Sequence, residues 1–141
     1  MGHMDPSSKE YSESLTSVLV VDDEYFNFEM LSASFSPRFD LNYVDSGAAC
    51  LEYAVAHQPD VILLDVCMPG LNGYDICRLL KNTPETKHIP IIMVSGLDTD
   101  AEKQTAFEAG CDEYITKPFS ISDLIDLIDY FVRQSQRSPQ L

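Results

Sequence analysis

Five short runs rich in Val, Ile and Leu alternate along the chain with five stretches of helical spacing, and this alternation constrains the fold more than any other feature. The runs cover residues 18–21, 41–44, 61–64, 89–94 and 113–115. Near-continuous apolar runs are typical of strands that are covered on both faces. Strand and helix alternating five times predict an α/β fold, a doubly wound five-stranded parallel sheet with helices on both faces.

The predicted helices lie between and after these strands. They cover residues 25–35, 47–56, 73–80, about 98–110, and 120 onward. In the second helix, Ala48, Leu51 and Val55 are expected to face inward. The last helix is apolar over more than one stripe, which favours a wide core face, with a partner or dimer surface as the alternative.

The two ends of the chain are polar and show no periodic pattern. Residues 1–4 look like an expression-cloning scar, and we expect residues 1–14 to form a flexible tail. Residues 15–134 are predicted to form the folded domain, followed by a flexible tail over residues 135–141. No secretory signal or membrane-spanning apolar run is recognisable, so we expect a cytoplasmic protein without membrane contact.

The chain is strongly acidic. Twenty-three Asp and Glu residues against nine Lys and Arg residues give a formal net charge of −14. Such a surface repels nucleic acids and anionic membranes, so neither is expected as a direct partner. Four cysteines occur without the paired spacing of a zinc site, and Cys50, Cys77 and Cys111 are expected to be reduced core thiols.

Polar residues follow four of the predicted strands at the point where each strand ends. They are Asp22 and Asp23 after the first, Asp65 after the third, Ser95 and Gly96 after the fourth, and Lys117 and Pro118 after the fifth. Each alone is most often a turn, cap or loop residue. Because the carboxyl ends of parallel strands meet at one edge of the sheet, together they predict a ligand site there.

The chemistry of this predicted site follows from its charges. Three carboxylates close together repel one another unless a cation or proton intervenes, and Mg²⁺ suits a few carboxylates plus water. Such a cation, together with Lys117, would bring a phosphoryl group to the remaining carboxylate. Aspartate can accept that group covalently as an acyl phosphate.

Four segments together resemble a response regulator receiver domain of two-component signal transduction. They read VLVVDDE, LLDVCMPGLNGYD, IPIIMVSG and AGCDEYITKPF, and the resemblance spans residues 17 to about 132. It implies a flavodoxin-like (CheY-like) fold with strand order 2-1-3-4-5 and five helices. It also implies a phosphorylation-dependent signalling switch, not an enzyme with a separate substrate, that receives its phosphoryl group from a histidine kinase or phosphotransfer protein.

The resemblance assigns roles to the acidic residues. Asp65 would be the phospho-acceptor, and Asp22 and Asp23 the acidic pair. Mg²⁺ would be bound directly by Asp23, Asp65 and the backbone carbonyl of Cys67, and by Asp22 through water. Lys117 would pair with the phosphoryl oxygens and precede a cis peptide bond to Pro118.

Other positions would control the switch and the lifetime of the signal. Ser95 would move toward the phosphoryl group and open space for Tyr114 to rotate, although an ordinary strand aromatic is the alternative reading of Tyr114. The change would alter the surface of the fourth helix, fifth strand and fifth helix, a possible homodimer face. Cys67 and Leu97 are poorly suited to orient a water, which predicts slow dephosphorylation, and Gly96 would leave room for the donor histidine.

Three other kinds of protein share parts of this pattern with the phosphorylated switch. A flavodoxin-like cofactor carrier is disfavoured because Asp22, Asp23 and Glu24 would repel a flavin phosphate. An aspartate-nucleophile phosphatase is disfavoured because its second Asp would stand two residues after the first. A receiver-like scaffold that works without phosphorylation ranks low because all the key residue types are present.

Overall fold

The structure of the protein is a computed structural model that describes residues 15–35, 38–66 and 72–137. Its strands are β1 (Thr16–Val21), β2 (Phe39–Val44), β3 (Val61–Asp65), β4 (Ile91–Ser95) and β5 (Glu113–Thr116). Its helices are α1 (Tyr25–Phe35), α2 (Gly47–His57), α3 (Gly73–Lys81), α4 (Asp100–Ala109) and α5 (Ile121–Arg137). The predicted tail of residues 1–14 and the predicted metal ligand Cys67 lie outside the described residues.

The five strands form one parallel sheet in the order β2-β1-β3-β4-β5, which confirms the predicted fold class and strand order. β1 lies between β2 and β3, with Val18 opposite Leu41 of β2 on one side and opposite Val61 of β3 on the other. At the far edge Ser95 of β4 lies opposite Thr116 of β5. This register places the ends of β1, β3, β4 and β5 along one edge of the sheet.

The core has two layers because successive strand residues point to opposite faces of the sheet. On one face Leu19 and Val21 of β1 pack with buried residues of α2, α3 and α4. On the other face Val18 and Val20 pack with buried residues of α1 and α5. Helices therefore cover both faces, and the two core layers hold the strand ends in fixed positions.

Two sequence predictions about these elements were wrong in detail. The fourth strand begins at Ile91, not at residue 89, because the N–H of Ile89 donates a hydrogen bond to the Thr86 carbonyl at 3.0 Å and Pro90 has no N–H. In α2, Val55 is exposed, and Cys50 and Ala54 face the core in its place.

The last helix, α5, extends past the predicted end of the domain and packs against the core with a wide apolar face. It continues to Arg137, three residues past the predicted end of the domain at 134. Ile121, Ile125 and Val132 all pack against the core layer that contains Leu124. These contacts favour the wide core face over the alternative of a partner or dimer surface at these three residues.

The cysteines of the described region behave as predicted. Cys50, Cys77 and Cys111 are buried and form no disulfide, which confirms reduced core thiols at these positions. Burial raises the pKa of Cys50 and Cys111 to about 12, and that of Cys77 to about 11. Within the described ranges, none of the helices is long and apolar enough to cross a membrane.

Candidate functional site

Asp22, the first residue after β1, is held by hydrogen bonds at every polar group. Only 6% of its surface is exposed. Its carboxylate accepts bonds from the N–H of Glu24 at 3.0 Å and from the side-chain amide of Asn27 at 3.1 Å. Its own N–H donates to the Val44 carbonyl at 3.2 Å. These bonds satisfy a buried charge and fix its direction.

The Asp22 carbonyl is held in turn by the hydroxyl of Tyr43, which donates a hydrogen bond to it at 2.8 Å. Burial and then the negative charges of Asp45, Asp22 and Asp23 raise the pKa of Tyr43. The phenol therefore stays protonated and able to donate. β2 thus supports the acidic residues at the end of the neighbouring strand.

Asp65 ends β3 and lies beside the end of β1, because Leu64 pairs with Val21 in the sheet. Asp22, Asp23 and Asp65 each offer a carboxylate oxygen, and the three oxygens lie within 4.8 Å of one another. Asp22 is buried, Asp65 is half-buried and Asp23 is exposed. The predicted convergence of these three aspartates is therefore present in the fold.

This cluster matches the chemistry of a divalent cation site. Three carboxylates at such distances repel one another in the absence of a positive charge. Mg²⁺ prefers oxygen ligands and binds to one or two carboxylates while keeping several waters. The exposed side chain of Asp23 leaves the cluster open to solvent on one side, where such waters can be held.

An open cleft of about 500 Å³ lies over the cluster. It is lined by Asp23, Glu24, Asn27, Asp65, Ser95, Gly96, Leu97 and Lys117. Seven of these eight residues, all but Asn27, were singled out from the sequence as strand-end or flanking groups. Carboxylates, a hydroxyl and an ammonium group therefore face one space at the carboxyl edge of the sheet.

Ser95 and Lys117 stand on neighbouring strand ends and are joined through the backbone. The N–H of Lys117 donates to the Ser95 carbonyl at 2.7 Å. The Ser95 hydroxyl is buried and accepts a bond from the N–H of Leu97 at 3.0 Å. The side chain of Lys117 is exposed and its peptide bond to Pro118 is cis.

Gly96, Leu97 and Tyr114 complete the edge of the cleft. A Cβ atom on Gly96 would meet no atom within 4 Å, so the backbone is open to an incoming group there. Leu97 is 40% exposed. Tyr114 of β5 is half-buried, and its hydroxyl donates to the Leu97 carbonyl at 2.8 Å. The backbone of Leu97 is thus hydrogen-bonded both to the Ser95 hydroxyl and to the Tyr114 hydroxyl.

Sequence reasoning gave no role to Asn27, Tyr43 or Gly73, which the structure brings to this edge. The N–H of Gly73 donates to the Val66 carbonyl at 2.7 Å, directly after the acceptor strand. A Cβ atom on Gly73 would lie 2.6 Å from the Asp65 carbonyl oxygen. A glycine at the first position of a helix was the available signal for such a close approach.

Comparison with known proteins agrees with this geometry. The family model "Response regulator receiver domain" matches residues 18–129. The response regulator PleD of Caulobacter vibrioides is 37% identical over 102 residues, which are 72% of this chain and 22% of that protein. This chain spans between 22% and 52% of the length of the first curated relatives that it matches.

Solved structures show the same fold. A putative response regulator from Chloroflexus aurantiacus superposes with a TM-score of 0.79 at 29% identity, covering 85% of this chain and 99% of that one. A receiver domain of a sensor histidine kinase from Pseudomonas aeruginosa, with magnesium coordinated in its active-site cleft, superposes with a TM-score of 0.75 at 23% identity. It covers 85% of this chain and 99% of its own.

The chain therefore belongs to the response regulator receiver domain family. Domains of this family are regulatory parts of two-component systems, and their general function is that of a phosphorylation-dependent switch. One relative that is named as an enzyme, a probable cyclic di-GMP phosphodiesterase of Vibrio cholerae, is matched over 24% of its length at 34% identity.

Proposed function

We propose that this domain accepts a phosphoryl group on Asp65 from a phosphohistidine of a histidine kinase or phosphotransfer protein. The observation that carries the proposal is that the carboxylates of Asp22, Asp23 and Asp65 lie within 4.8 Å of one another. Asp65 also shares its cleft with Lys117 and Ser95. An acceptor carboxylate, an ammonium group and a hydroxyl therefore face the space where a phosphoryl group would enter.

The proposed transfer forms one bond and breaks one. A carboxylate oxygen of Asp65 bonds to phosphorus while the phosphorus–nitrogen bond of the donor breaks. The imidazole nitrogen keeps the electron pair of that bond and takes up a proton, and an acyl phosphate remains on Asp65. The exposed ammonium of Lys117 offsets negative charge on the phosphoryl oxygens, and open space beside Gly96 admits the donor ring.

The acidic cluster fits Mg²⁺ as the cofactor. We assign Asp23 and Asp65 as direct ligands, and Asp22 as a ligand through water because its carboxylate already accepts two hydrogen bonds. Cys67, whose backbone carbonyl is proposed as a further ligand, lies outside the described residues. When bound, Mg²⁺ supplies the positive charge that lets an anionic donor approach three carboxylates. The magnesium in the Pseudomonas receiver supports this assignment by analogy.

The proposed output is a change in the surface formed by α4, β5 and α5. Leu97 bonds to Ser95 through its N–H and to Tyr114 through its carbonyl. Movement of the Ser95 hydroxyl toward a phosphoryl group would break the first bond and free the segment that holds the second. Tyr114 could then rotate, and the phosphoryl group would shift the population toward that arrangement. A homodimer through this surface and a cytoplasmic location stay predictions.

The proposed signal is long-lived. Leu97 stands at the rim of the cleft with 40% of its surface exposed and offers no group that could orient a hydrolytic water. We propose that the Cys67 side chain is likewise unsuited to orienting a hydrolytic water. Hydrolysis of the acyl phosphate would therefore depend on a water that neither Leu97 nor Cys67 positions.

The experiment that tests the proposal is an intact-mass time course with acetyl phosphate and Mg²⁺. A single phosphoryl adduct is expected on the wild-type chain and none on Asp65→Asn, because asparagine has no carboxylate oxygen to phosphorylate. Leaving out Mg²⁺ should suppress the adduct. The matched control is Asp40→Asn, which changes an exposed aspartate near the start of β2, at the opposite edge of the sheet, and should leave the adduct unchanged.

An adduct that persists in Asp65→Asn would place the chemistry elsewhere and contradict the proposal. No adduct from acetyl phosphate or from a phosphorylated histidine donor would favour the alternative of a receiver-like scaffold. In that case the acidic cleft would serve partner binding without phosphorylation.

A further inference from the structure

Tyr74, the second residue of α3, links this helix to α4. Its hydroxyl donates a short hydrogen bond to a carboxylate oxygen of Glu102 in the first turn of α4. The N–H of Glu102 in turn donates to the hydroxyl of Thr99, which caps α4, at 3.2 Å. The bond from Tyr74 therefore reaches the residues that define where α4 begins.

The position of Tyr74 is set by the acceptor strand. The preceding residue, Gly73, donates its N–H to the Val66 carbonyl at 2.7 Å. The backbones are so close that a Cβ on Gly73 would lie 2.6 Å from the Asp65 carbonyl oxygen. The backbone just before Tyr74 thus cannot shift far without moving the end of β3.

Tyr74 also lies beside the proposed switch residue. Tyr74 and Tyr114 are both half-buried and pack against the same core layer. Burial first, then the hydrogen bond to Glu102 and the proximity of Tyr114, raise the pKa of Tyr74. Its hydroxyl is therefore protonated at neutral pH and can donate, while the Tyr114 hydroxyl donates to the Leu97 carbonyl at 2.8 Å.

We propose that the Tyr74–Glu102 hydrogen bond is a latch that holds α4 in its unphosphorylated arrangement. This inference rests on the proposed function. Rotation of Tyr114 would break its hydrogen bond to the Leu97 carbonyl and free the segment that leads into the cap of α4 at Thr99, whereas the latch ties the first turn of α4 to the end of β3. A bond made in one arrangement and lost in the other stabilises the first. Tyr74 is thus a positioning residue that opposes the switch.

The test is a titration with beryllofluoride, a phosphoryl mimic, in the presence of Mg²⁺. Binding is detected by NMR as shifts of the backbone amides near Leu97. Tyr74→Phe keeps the ring but removes the hydroxyl. Its affinity for beryllofluoride should rise by about three- to tenfold, as expected for loss of one hydrogen bond that favours the unbound arrangement. Tyr53→Phe is the control, because Tyr53 is a half-buried tyrosine that packs against the same core layer from α2.

Two further variants separate the latch from a general effect on stability. Glu102→Ala removes the hydrogen-bond acceptor on α4 and should raise the affinity for beryllofluoride as Tyr74→Phe does. In the double variant the affinity should rise no further. Glu102→Gln keeps an acceptor oxygen and should stay close to wild type. Glu102→Ala also serves as the test if Tyr74→Phe does not fold.

The outcomes distinguish the two proposals. Unchanged or weaker beryllofluoride binding in Tyr74→Phe or Glu102→Ala, with normal binding by the wild type, overturns the latch and leaves the proposed function standing. Additive effects of the two variants also overturn the latch. A wild-type chain that binds no beryllofluoride with Mg²⁺ and gains no phosphoryl adduct overturns the proposed function and the latch with it.

Discussion

A Cβ atom on Gly73 would lie 2.6 Å from the carbonyl oxygen of Asp65 and 2.7 Å from the Cα of Val66. Both contacts are to backbone, so no rotation of a side chain can relieve them. The first turn of α3 is thus packed against the end of the acceptor strand in a way that only glycine permits. The identity of residue 73 constrains the geometry at Asp65.

Gly73→Ala should therefore destabilise the fold by about 1–3 kcal/mol, the usual cost of forcing an extra carbon into a packed site. The free energy of unfolding in urea measures it. Gly96→Ala is the matched control, since a Cβ there meets no atom within 4 Å and should change stability by no more than about 0.5 kcal/mol. Equal stabilities of the two variants would show that α3 can move away from β3.

Asp22→Asn should weaken Mg²⁺ binding by about tenfold or more, the range seen when a group in the outer shell of a metal is removed. The amide is nearly the same size as the carboxylate, so the change removes one of the three negative charges that lie within 4.8 Å. A Mg²⁺ titration followed by calorimetry measures the loss. Asp40→Asn, an exposed aspartate near the start of β2, is the control, and a wild-type affinity in Asp22→Asn would remove Asp22 from the metal site.

The buried thiols predict how stability depends on pH. Burial raises the pKa of Cys50 and Cys111 to about 12, above the value of about 8.5 in an unfolded chain. Between pH 8.5 and 10 the unfolded chain loses these protons while the folded chain keeps them. The free energy of unfolding should therefore fall as the pH rises, by up to about 1.4 kcal/mol per pH unit for each thiol.

Urea unfolding at several pH values between 8.5 and 10 measures this slope. Cys50→Ala should reduce it, because one thiol no longer contributes. A thiol reagent at neutral pH should react slowly with Cys50, Cys77 and Cys111 in the folded chain and quickly after unfolding. Rapid reaction of these thiols in the folded chain would contradict the prediction.

The strands and helices of this fold are predictable from the sequence because hydrophobic periodicity locates them, whereas the strand order followed only from the resemblance to receiver domains. All five strands and five helices were located, and the strand-end aspartates followed from the parallel arrangement. The inward face of α2 was not predicted. Ala48 and Val55 are exposed while Cys50 and Ala54 are fully buried, because the stripe that packs on the sheet runs through Gly47, Cys50 and Ala54, one residue before the predicted positions 48 and 55.

The supporting residues of the site could not be predicted, because their roles come from contacts between distant parts of the chain. Tyr43 holds the Asp22 carbonyl from 21 residues away, and Tyr74 reaches Glu102 across 28 residues. No local pattern distinguishes these tyrosines from other half-buried aromatics. The start of β4 was missed for a local reason, because the turn at Thr86 uses the N–H of Ile89.

Leu97→Gln should shorten the life of the phosphorylated state. Leu97 lines the cleft over Asp65 and is 40% exposed, so a longer polar side chain there can reach the space around the acyl phosphate. An amide that orients a water for attack would speed hydrolysis by about tenfold or more, less than the roughly hundredfold that a positioned general acid or base contributes, because an amide orients the water without taking its proton. The intact-mass decay of the phosphoryl adduct measures the rate.

Leu79→Gln is the matched control, since Leu79 is 41% exposed on α3 and stands outside the residues that line the cleft. If the two variants lose the adduct at the same rate, or if the wild type already loses it within seconds, Leu97 does not limit hydrolysis.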